Sequence, residues 1–205
     1  SDVYKRQGMD CYTGVDLAAT SDLTAVAYLV VQDGTYYFKT HYYLPESALK
    51  DKADKELYKY WKQQGYLTVT SGNVTDYDYI TADMLRYADV VNIQSVGYDK
   101  YNATQWAIDS TEQGLPLEEY PQTLGNFNMP TRELERLILS GKAVIDNNEI
   151  NRYCFRNVTL KSDYNGNVKP NKAVDKKKID GTIAMIQALG MYLRNPRFSN
   201  EIITI

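Results

Sequence analysis

The chain has 205 residues, a length that suits one domain, and its 43% hydrophobic and 24% charged residues form the ordinary mixture of a folded protein, which excludes wholesale disorder, collagen and coiled coil. Lys and Arg total 23 against 26 Asp and Glu, a formal charge of −3, so any nucleic-acid contact must be a local basic patch. No apolar run approaches the ~20 residues of a membrane-spanning helix; the longest, Leu23 to Val31, is interrupted by Thr24 and Tyr28.

Residues 1–8 have neither the apolar centre of a signal peptide nor any periodic pattern, and read as a disordered or artificially appended leader, with one domain over 9–205. Asp10 to Ala18 carries Tyr12, Thr13 and Val15 and ends in the turn-prone Ala-Ala-Thr-Ser-Asp stretch, which predicts a first strand. Leu23 to Val31 predicts a second, buried strand. The Asp33-Gly34 pair signals a hairpin, and Thr35 to Leu44, rich in Tyr, Phe and Thr, predicts the returning third strand.

Ser47 offers an N-cap, and Ala48, Leu49, Ala53, Leu57, Tyr60 and Trp61 recur at helical spacing until Gly65. Leu67 to Thr70 is a short extended piece, Asp76 to Val91 an amphipathic helix with Ile80, Met84, Leu85 and Ala88 on one face. Ile93 to Tyr98 predicts a strand and Asn102 to Gln113 a helix. This alternation calls for a mixed sheet with helices on its faces. Gly125, Asn126, Asn128 and Pro130 make Pro116 to Met129 a loop, after which Thr131, Glu133 and Leu134 begin a short helix. Val144 and Ile145 form a brief strand, and Val158 to Asp163 and Val168 to Ala173 flank a second hairpin turn at Asn165-Gly166. Ile179, Ile183, Ile186, Gly190 and Leu193 follow helical spacing, so Lys178 to Arg194 is a helix ending before Pro196.

Several chemistries are excluded by what the chain lacks. There is no G-x-x-x-x-G-K-[ST] phosphate cradle and no G-x-S-x-G elbow. A single histidine, His41, removes every site that needs two imidazoles, so a metal here must be held by carboxylates. Cys11 and Cys154 form no C-x-x-C pair and read as two buried thiols in a reducing compartment.

Three aspartates stand in suggestive places: Asp16 inside the first strand, Asp99 at the end of an apolar strand, and Asp180 in the first turn of the last helix. A strand interior is depleted in Asp because a charged carboxylate among core side chains is costly unless compensated. If the fold brings the three together they repel, and hard divalent cations are what makes such a cluster tolerable; oxygen-only ligands favour Mg²⁺ or Mn²⁺ over zinc. Two ions ~3.5–4 Å apart would hold the attacking water and the departing oxygen of a phosphodiester in line. Each residue also has a plainer reading: Asp16 a loop residue, Asp99 a turn residue, Asp180 a helix-start acid favoured by the macrodipole. Asp22, where the chain turns into the second strand, is either a fourth carboxylate for the site or part of an ordinary turn. Lys169, Lys172, Lys176, Lys177 and Lys178 lead up to Asp180 as a cationic ledge suited to a polyanion, or as a solvated loop.

Taken together these residues resemble a known family, the C-terminal nuclease domain of the large terminase subunit of tailed bacteriophages. Gly-Val-Asp-Leu-Ala (14–18) followed by Asp-Leu-Thr-Ala (22–25) is similar to its first acidic motif, and Gly-Tyr-Asp-Lys-Tyr-Asn-Ala (97–103) to its second. The third is matched by Asn157 through Gly-Asn-Val-Lys-Pro-Asn-Lys (166–172) to Lys-Ile-Asp-Gly-Thr-Ile-Ala (178–184); the likeness runs from about Met9 to Arg194. The resemblance implies an α/β, RNase H-like mixed sheet opened by three antiparallel strands and flanked by helices. It implies an endonuclease using two Mg²⁺ or Mn²⁺ ions that cuts concatemeric double-stranded DNA in the cytoplasm of the bacterial host. Asp16 would bridge both ions, Asp99 bind one and Asp180 the other, with Asp22 auxiliary. Lys100 and Tyr101, directly after Asp99, would contact DNA or merely fill surface. A packaging ATPase domain, a small terminase subunit and a portal are the implied partners, and no membrane. The alternatives are a structure-selective resolvase of branched DNA on the same fold, a non-catalytic DNA-docking module, and the related actin-like nucleotide-binding fold, against which stands the lack of a second Gly-rich phosphate turn.

Overall fold

Alternating β-branched and aromatic residues build the first three strands as the sequence predicts. In the computed structural model, which describes residues 6–50, 54–101 and 103–195, β1 (Asp10–Asp16), β2 (Thr24–Gln32) and β3 (Thr35–Pro45) run antiparallel, with Asp16 opposite Ala25 and Gln32 opposite Thr35. Asp33 and Gly34 both take positive φ, 51° and 72°, as the two-residue turn that matches strand twist requires. β4 (Thr68–Thr70) and β7 (Ala143–Ile145) pair in parallel with opposite ends of β3. On the other side β5 (Asn92–Tyr98) lies parallel to β1, with β6 (Leu117–Glu119) parallel beyond it. The sheet order is β4-β3-β2-β1-β5-β6, with β7 beside β3.

Side chains alternate along β2 and so build two cores. Ala25, Ala27 and Leu29 face α6 (Asp180–Leu193), together with α1 (Lys55–Gln63), α4 (Leu124–Leu139) and α5 (Glu149–Arg156). Val26, Tyr28 and Val30 face α2 (Tyr77–Ala88) and α3 (Thr104–Glu112). The result is the mixed, helix-flanked, RNase H-like sheet expected. α6 is buried all round from Asp180 to Met191, the mark of a helix inserted against the sheet rather than laid on a surface. Its approach depends on glycine. A Cβ at Gly14 would stand 2.1 Å from the Ala184 carbonyl oxygen, and one at Gly181 would stand 1.8 Å from the Tyr42 hydroxyl.

Four expectations need correction. The first strand stops at Asp16 rather than Ala18, so Asp16 is the last strand residue and not an interior one. The helix expected from Ser47 is a 3-10 turn at Glu46–Lys50 followed by α1; Ala53 lies outside the described residues, as does Asn102 at the start of the predicted 102–113 helix. The stretch 116–129 is not a loop, since it contains β6 and the first turns of α4, capped by the Thr123 side chain accepting from the Asn126 N–H at 3.3 Å. Pro130 sits inside α4 and has no N–H for the Asn126 carbonyl; the Tyr120 hydroxyl donates to that carbonyl at 2.6 Å instead. Lastly, α5 has no counterpart among the predicted elements; its start is fixed by Asn148, whose side chain accepts from the Ile150 N–H.

The hairpin of β8 (Val158–Ser162) and β9 (Val168–Lys172) stands apart as a two-stranded sheet. It is tied to α4 by Arg132, which donates to the Gly166 carbonyl at 2.5 Å, and by Asn128, whose Oδ1 accepts from the Val168 N–H. Of the leader, residues 1–5 lie outside the described residues. Arg6 stacks 3.5 Å from the Tyr37 ring centroid and the Gly8 N–H donates to Val90.

Candidate active site

Parallel pairing puts the C-terminal ends of β1 and β5 side by side, with Val15 opposite Tyr98, so Asp16 and Asp99 emerge at the same edge of the sheet. Asp180 opens α6, which packs across β1 and β2, and Asp22 stands in the β1–β2 connection. Topology thus gathers residues separated by most of the chain.

Asp99, half-buried, accepts from the Tyr101 N–H on Oδ1 at 2.9 Å and from the Gln122 N–H on Oδ2 at 2.8 Å. Asp16 accepts on Oδ1 from Gln122 Nε2 at 2.9 Å, and the Gln122 carbonyl accepts from Lys169 Nζ at 3.2 Å. Gln122 therefore joins two of the predicted acids and one predicted lysine. It lies in the stretch read as a loop and carries no sequence pattern; two of its three contacts use its main chain, which any residue possesses.

Asp180 is 7% exposed and its Oδ2 has no hydrogen-bond partner among the described residues. Burial, with the charge of Asp22 added, pushes its carboxyl up to about 6. Asp16 is held well above the usual carboxylate range, by burial first and the charge of Asp180 second, with the Gln122 hydrogen bond pulling the other way. Asp22 behaves oppositely. Burial would raise it, but the hydrogen bond and charge of Lys178, with Lys172 at 3.9 Å, outweigh that and hold it below its ordinary value.

Asp16, Asp22 and Asp180 thus share one electrostatic neighbourhood, and Asp99 is linked to it through Gln122. Among the described residues, no three His, Cys, Asp or Glu side chains draw close enough to grip one ion together. The Asp16 and Asp180 pair nonetheless fits a hard divalent cation: the donors are oxygens, one is buried without a partner, and the carboxylates oppose each other's ionisation.

The lysines divide. Lys176 and Lys177 are exposed, with Lys177 Nζ 5.8 Å from the Tyr153 ring centroid, while Lys169 and Lys172 are half-buried on Gln122 and Asp22. Lys178 is 9% exposed and bound to Asp22 and to the Ser21 carbonyl, so its charge serves the site's interior and not an open ledge. Lys100 is exposed and pairs with Glu119 at 3.6 Å; neighbouring Tyr101 is 80% exposed.

Sheet order, a buried acid-bearing helix and acids at adjacent strand ends define an RNase H-like protein. Residues 2–195 match the family described as terminase large subunit, endonuclease domain, and the chain belongs to that family. It is 29% identical over 184 residues to the large terminase subunit of Enterobacteria phage HK97, covering 87% of this chain and 36% of that protein. It is 31% identical over 217 residues to Protein YmfN of Escherichia coli K12, covering 96% of this chain and 47% of that one. The chain therefore spans between about a third and a half of these curated relatives. The crystal structure of the HK97 large terminase aligns with 92% of this chain and 41% of its own at a TM-score of 0.81 and 27% identity. The large terminase nuclease of thermophilic phage G20c, solved with bound magnesium, shares the fold at a TM-score of 0.60 and 12% identity, over 90% of this chain and 84% of its own.

Proposed function

We propose that this chain is a divalent-cation-dependent endodeoxyribonuclease that cuts concatemeric double-stranded DNA during genome packaging in the cytoplasm of the bacterial host. On this reading its partners are the DNA, a packaging ATPase domain, a small terminase subunit and a portal. Family membership supports the reaction class, and one structural observation carries it: the buried, unpartnered Asp180 oxygen beside the strand-end carboxylate of Asp16.

Asp16 and Asp180 would hold Mg²⁺ or Mn²⁺, with Asp99 and Asp22 completing a two-ion set. Bound there, the ions would lower the pKa of a water and neutralise charge developing on the phosphate. The protein's own part is positional. Two main-chain N–H groups hold Asp99 in one orientation, while Gln122 orients Asp16. The β8–β9 hairpin, docked on α4, carries Lys169 and Lys172 beside the acids and leaves Lys176 and Lys177 open to phosphate.

The test is cleavage of linear duplex with Mg²⁺ or Mn²⁺. Asp99→Asn and Asp180→Asn should each lower the rate by ~10²–10³-fold, the scale of losing a group that stabilises the transition state, with the far-UV spectrum unchanged. Retained metal-dependent cutting would refute the assignment. A four-way junction cut in preference to linear duplex would indicate a resolvase instead. A second reading, a DNA-docking module without chemistry, is favoured by the lack of three ready-gathered acids among the described residues. Calorimetry with Mn²⁺ separates the two, since the docking module should bind no ions.

A further inference from the structure

We infer that Gln122 is a positioning residue for the acidic site, holding Asp16 through its side chain and Asp99 through its main chain so that the two strand-end carboxylates stay at a fixed separation. The inference rests on the metallonuclease reading above and adds to it a residue outside the acidic motifs. Gln122 lies in the short link between β6, which pairs with β5, and α4, which packs on α6. The link is itself anchored. The Tyr120 N–H donates to the Tyr98 carbonyl at 2.6 Å, the Asn126 side chain donates to the Pro121 carbonyl at 2.9 Å, and the Thr123 side chain caps α4. The amide that reaches Asp16 therefore comes from a rigid junction between the two elements that frame the site.

Donor and acceptor chemistry explain why a glutamine suits the position. Asp16 is half-buried and shares its surroundings with Asp180, and each charge opposes the other; a neutral amide donates to Asp16 Oδ1 without adding charge. A lysine there would compete with a cation for the same carboxylate, and a glutamate would repel it. One lone pair of Oδ1 taken by Nε2 leaves the rest of the carboxylate for a cation. This is how ligating carboxylates are commonly held, and loss of such a partner typically costs ~10–100-fold in metal affinity. Through its carbonyl Gln122 also receives Lys169, so the hairpin and the acids are registered against one residue.

Side-chain substitution isolates the Asp16 arm, because the main-chain contacts to Asp99 and Lys169 survive it. Mn²⁺ binding to the full chain is measured by calorimetry, without DNA, for the parent, Gln122→Met and Gln122→Asn, alongside metal-free thermal melting. Gln122→Met keeps the length but removes the donor, and should weaken Mn²⁺ affinity ~10–100-fold at a metal-free melting temperature close to the parent's. Gln122→Asn retains the amide on a shorter arm and should recover part of the loss. A purely structural role predicts the reverse, a lowered melting temperature with unchanged affinity, and that result overturns the inference. So does tighter Mn²⁺ binding in Gln122→Met, which would make the amide a competitor of the cation. A parent chain that takes up no Mn²⁺ overturns the metallonuclease reading itself along with the inference, and this is seen before any substitution is made.

Discussion

Lys178 and Asp22 form an ion pair that ties the start of α6 to the β1–β2 connection. Lys178 is 9% exposed, its ammonium donates to Asp22 Oδ1 and to the Ser21 carbonyl, and it stands two residues before Asp180. Its charge offsets an acid that would otherwise add to the repulsion between Asp16 and Asp180. Because the Asp22 side chain is 42% exposed, solvent screens much of the attraction. A double-mutant cycle of Lys178→Met and Asp22→Asn, read by urea denaturation at pH 7, should give a coupling of about 1 kcal/mol. Asp22 titrates below its ordinary value when folded, so this contribution is present above the unfolded pKa of ~3.9 and disappears as pH falls through the folded one. A coupling that is zero at pH 7 would show the contact to be energetically idle.

The pH dependence carried by Asp180 runs the other way. Its carboxyl titrates at about 6 in the folded chain against ~3.9 unfolded, so the folded state holds the proton more firmly between those values. That stabilisation is complete below ~3.9 and is lost as pH rises through about 6. Without divalent cations, Asp180→Asn should match the parent near pH 4 and exceed it by roughly 2–3 kcal/mol at pH 7.5, at ~1.4 kcal/mol per pH unit. Parallel stability curves for the two chains across this range would contradict the burial and charge crowding described.

How far these features could be read beforehand differs by kind. The first three strands were legible because alternation and Asp33-Gly34 agree, and α6 because isoleucines recur at helical spacing through a small-residue stretch. α4 was not. Gly125, Asn128 and Pro130 are local breakers, and what they conceal is a helix whose Phe127, Leu134 and Leu137 are buried in the core with α6 and whose freed Asn126 carbonyl accepts from the Tyr120 hydroxyl. The three acids were visible as carboxylates at the ends of apolar segments. Gln122 was invisible, since main-chain hydrogen bonds leave little trace in residue type. The 19 tyrosines against four phenylalanines also find part of their reason in three dimensions. Tyr42 donates to Asn151 at 2.5 Å, Tyr43 to Asp83 and Tyr120 to Asn126, so a buried ring that must end on a polar partner is common here.

The space around two glycines, Gly14 against α6 and Gly125 in α4, predicts opposite signs for their substitution by alanine. At Gly14 an added methyl meets the Ala184 carbonyl at 2.1 Å and the Ala188 nitrogen at 2.5 Å, both backbone atoms of a buried helix that cannot step aside. Gly14→Ala should cost about 3 kcal/mol or more, at the upper end of overpacking effects, and should disturb the nearby acids as well. Gly125 lies in the first turn of α4 with nothing among the described residues within 4 Å of an added Cβ and no positive φ. Gly125→Ala should stabilise by roughly 0.5–1 kcal/mol through helix propensity and a less flexible unfolded chain. Urea midpoints of the two variants moving in the same direction would be inconsistent with this packing.

Salt dependence can distinguish an open cationic ledge from lysines already engaged. Each phosphate neutralised on duplex DNA releases counterions and contributes ~0.9 to the slope of log affinity against log salt. Lys176 and Lys177 are exposed, so Lys176→Gln with Lys177→Gln should weaken duplex binding across unrelated sequences and flatten the slope by up to ~1.8. Lys142 precedes β7 beside the Tyr36 end of β3, whereas the acids lie at the end where Asp16 pairs with Ala25 and Thr24 with Tyr43. Lys142→Gln should therefore leave the slope unchanged. The measurement is made in EDTA, so that binding is read without cleavage. A slope insensitive to the Lys176 and Lys177 pair would mean that DNA approaches the acids from another side, and the path of the strand would have to be redrawn around Lys100 and Tyr101.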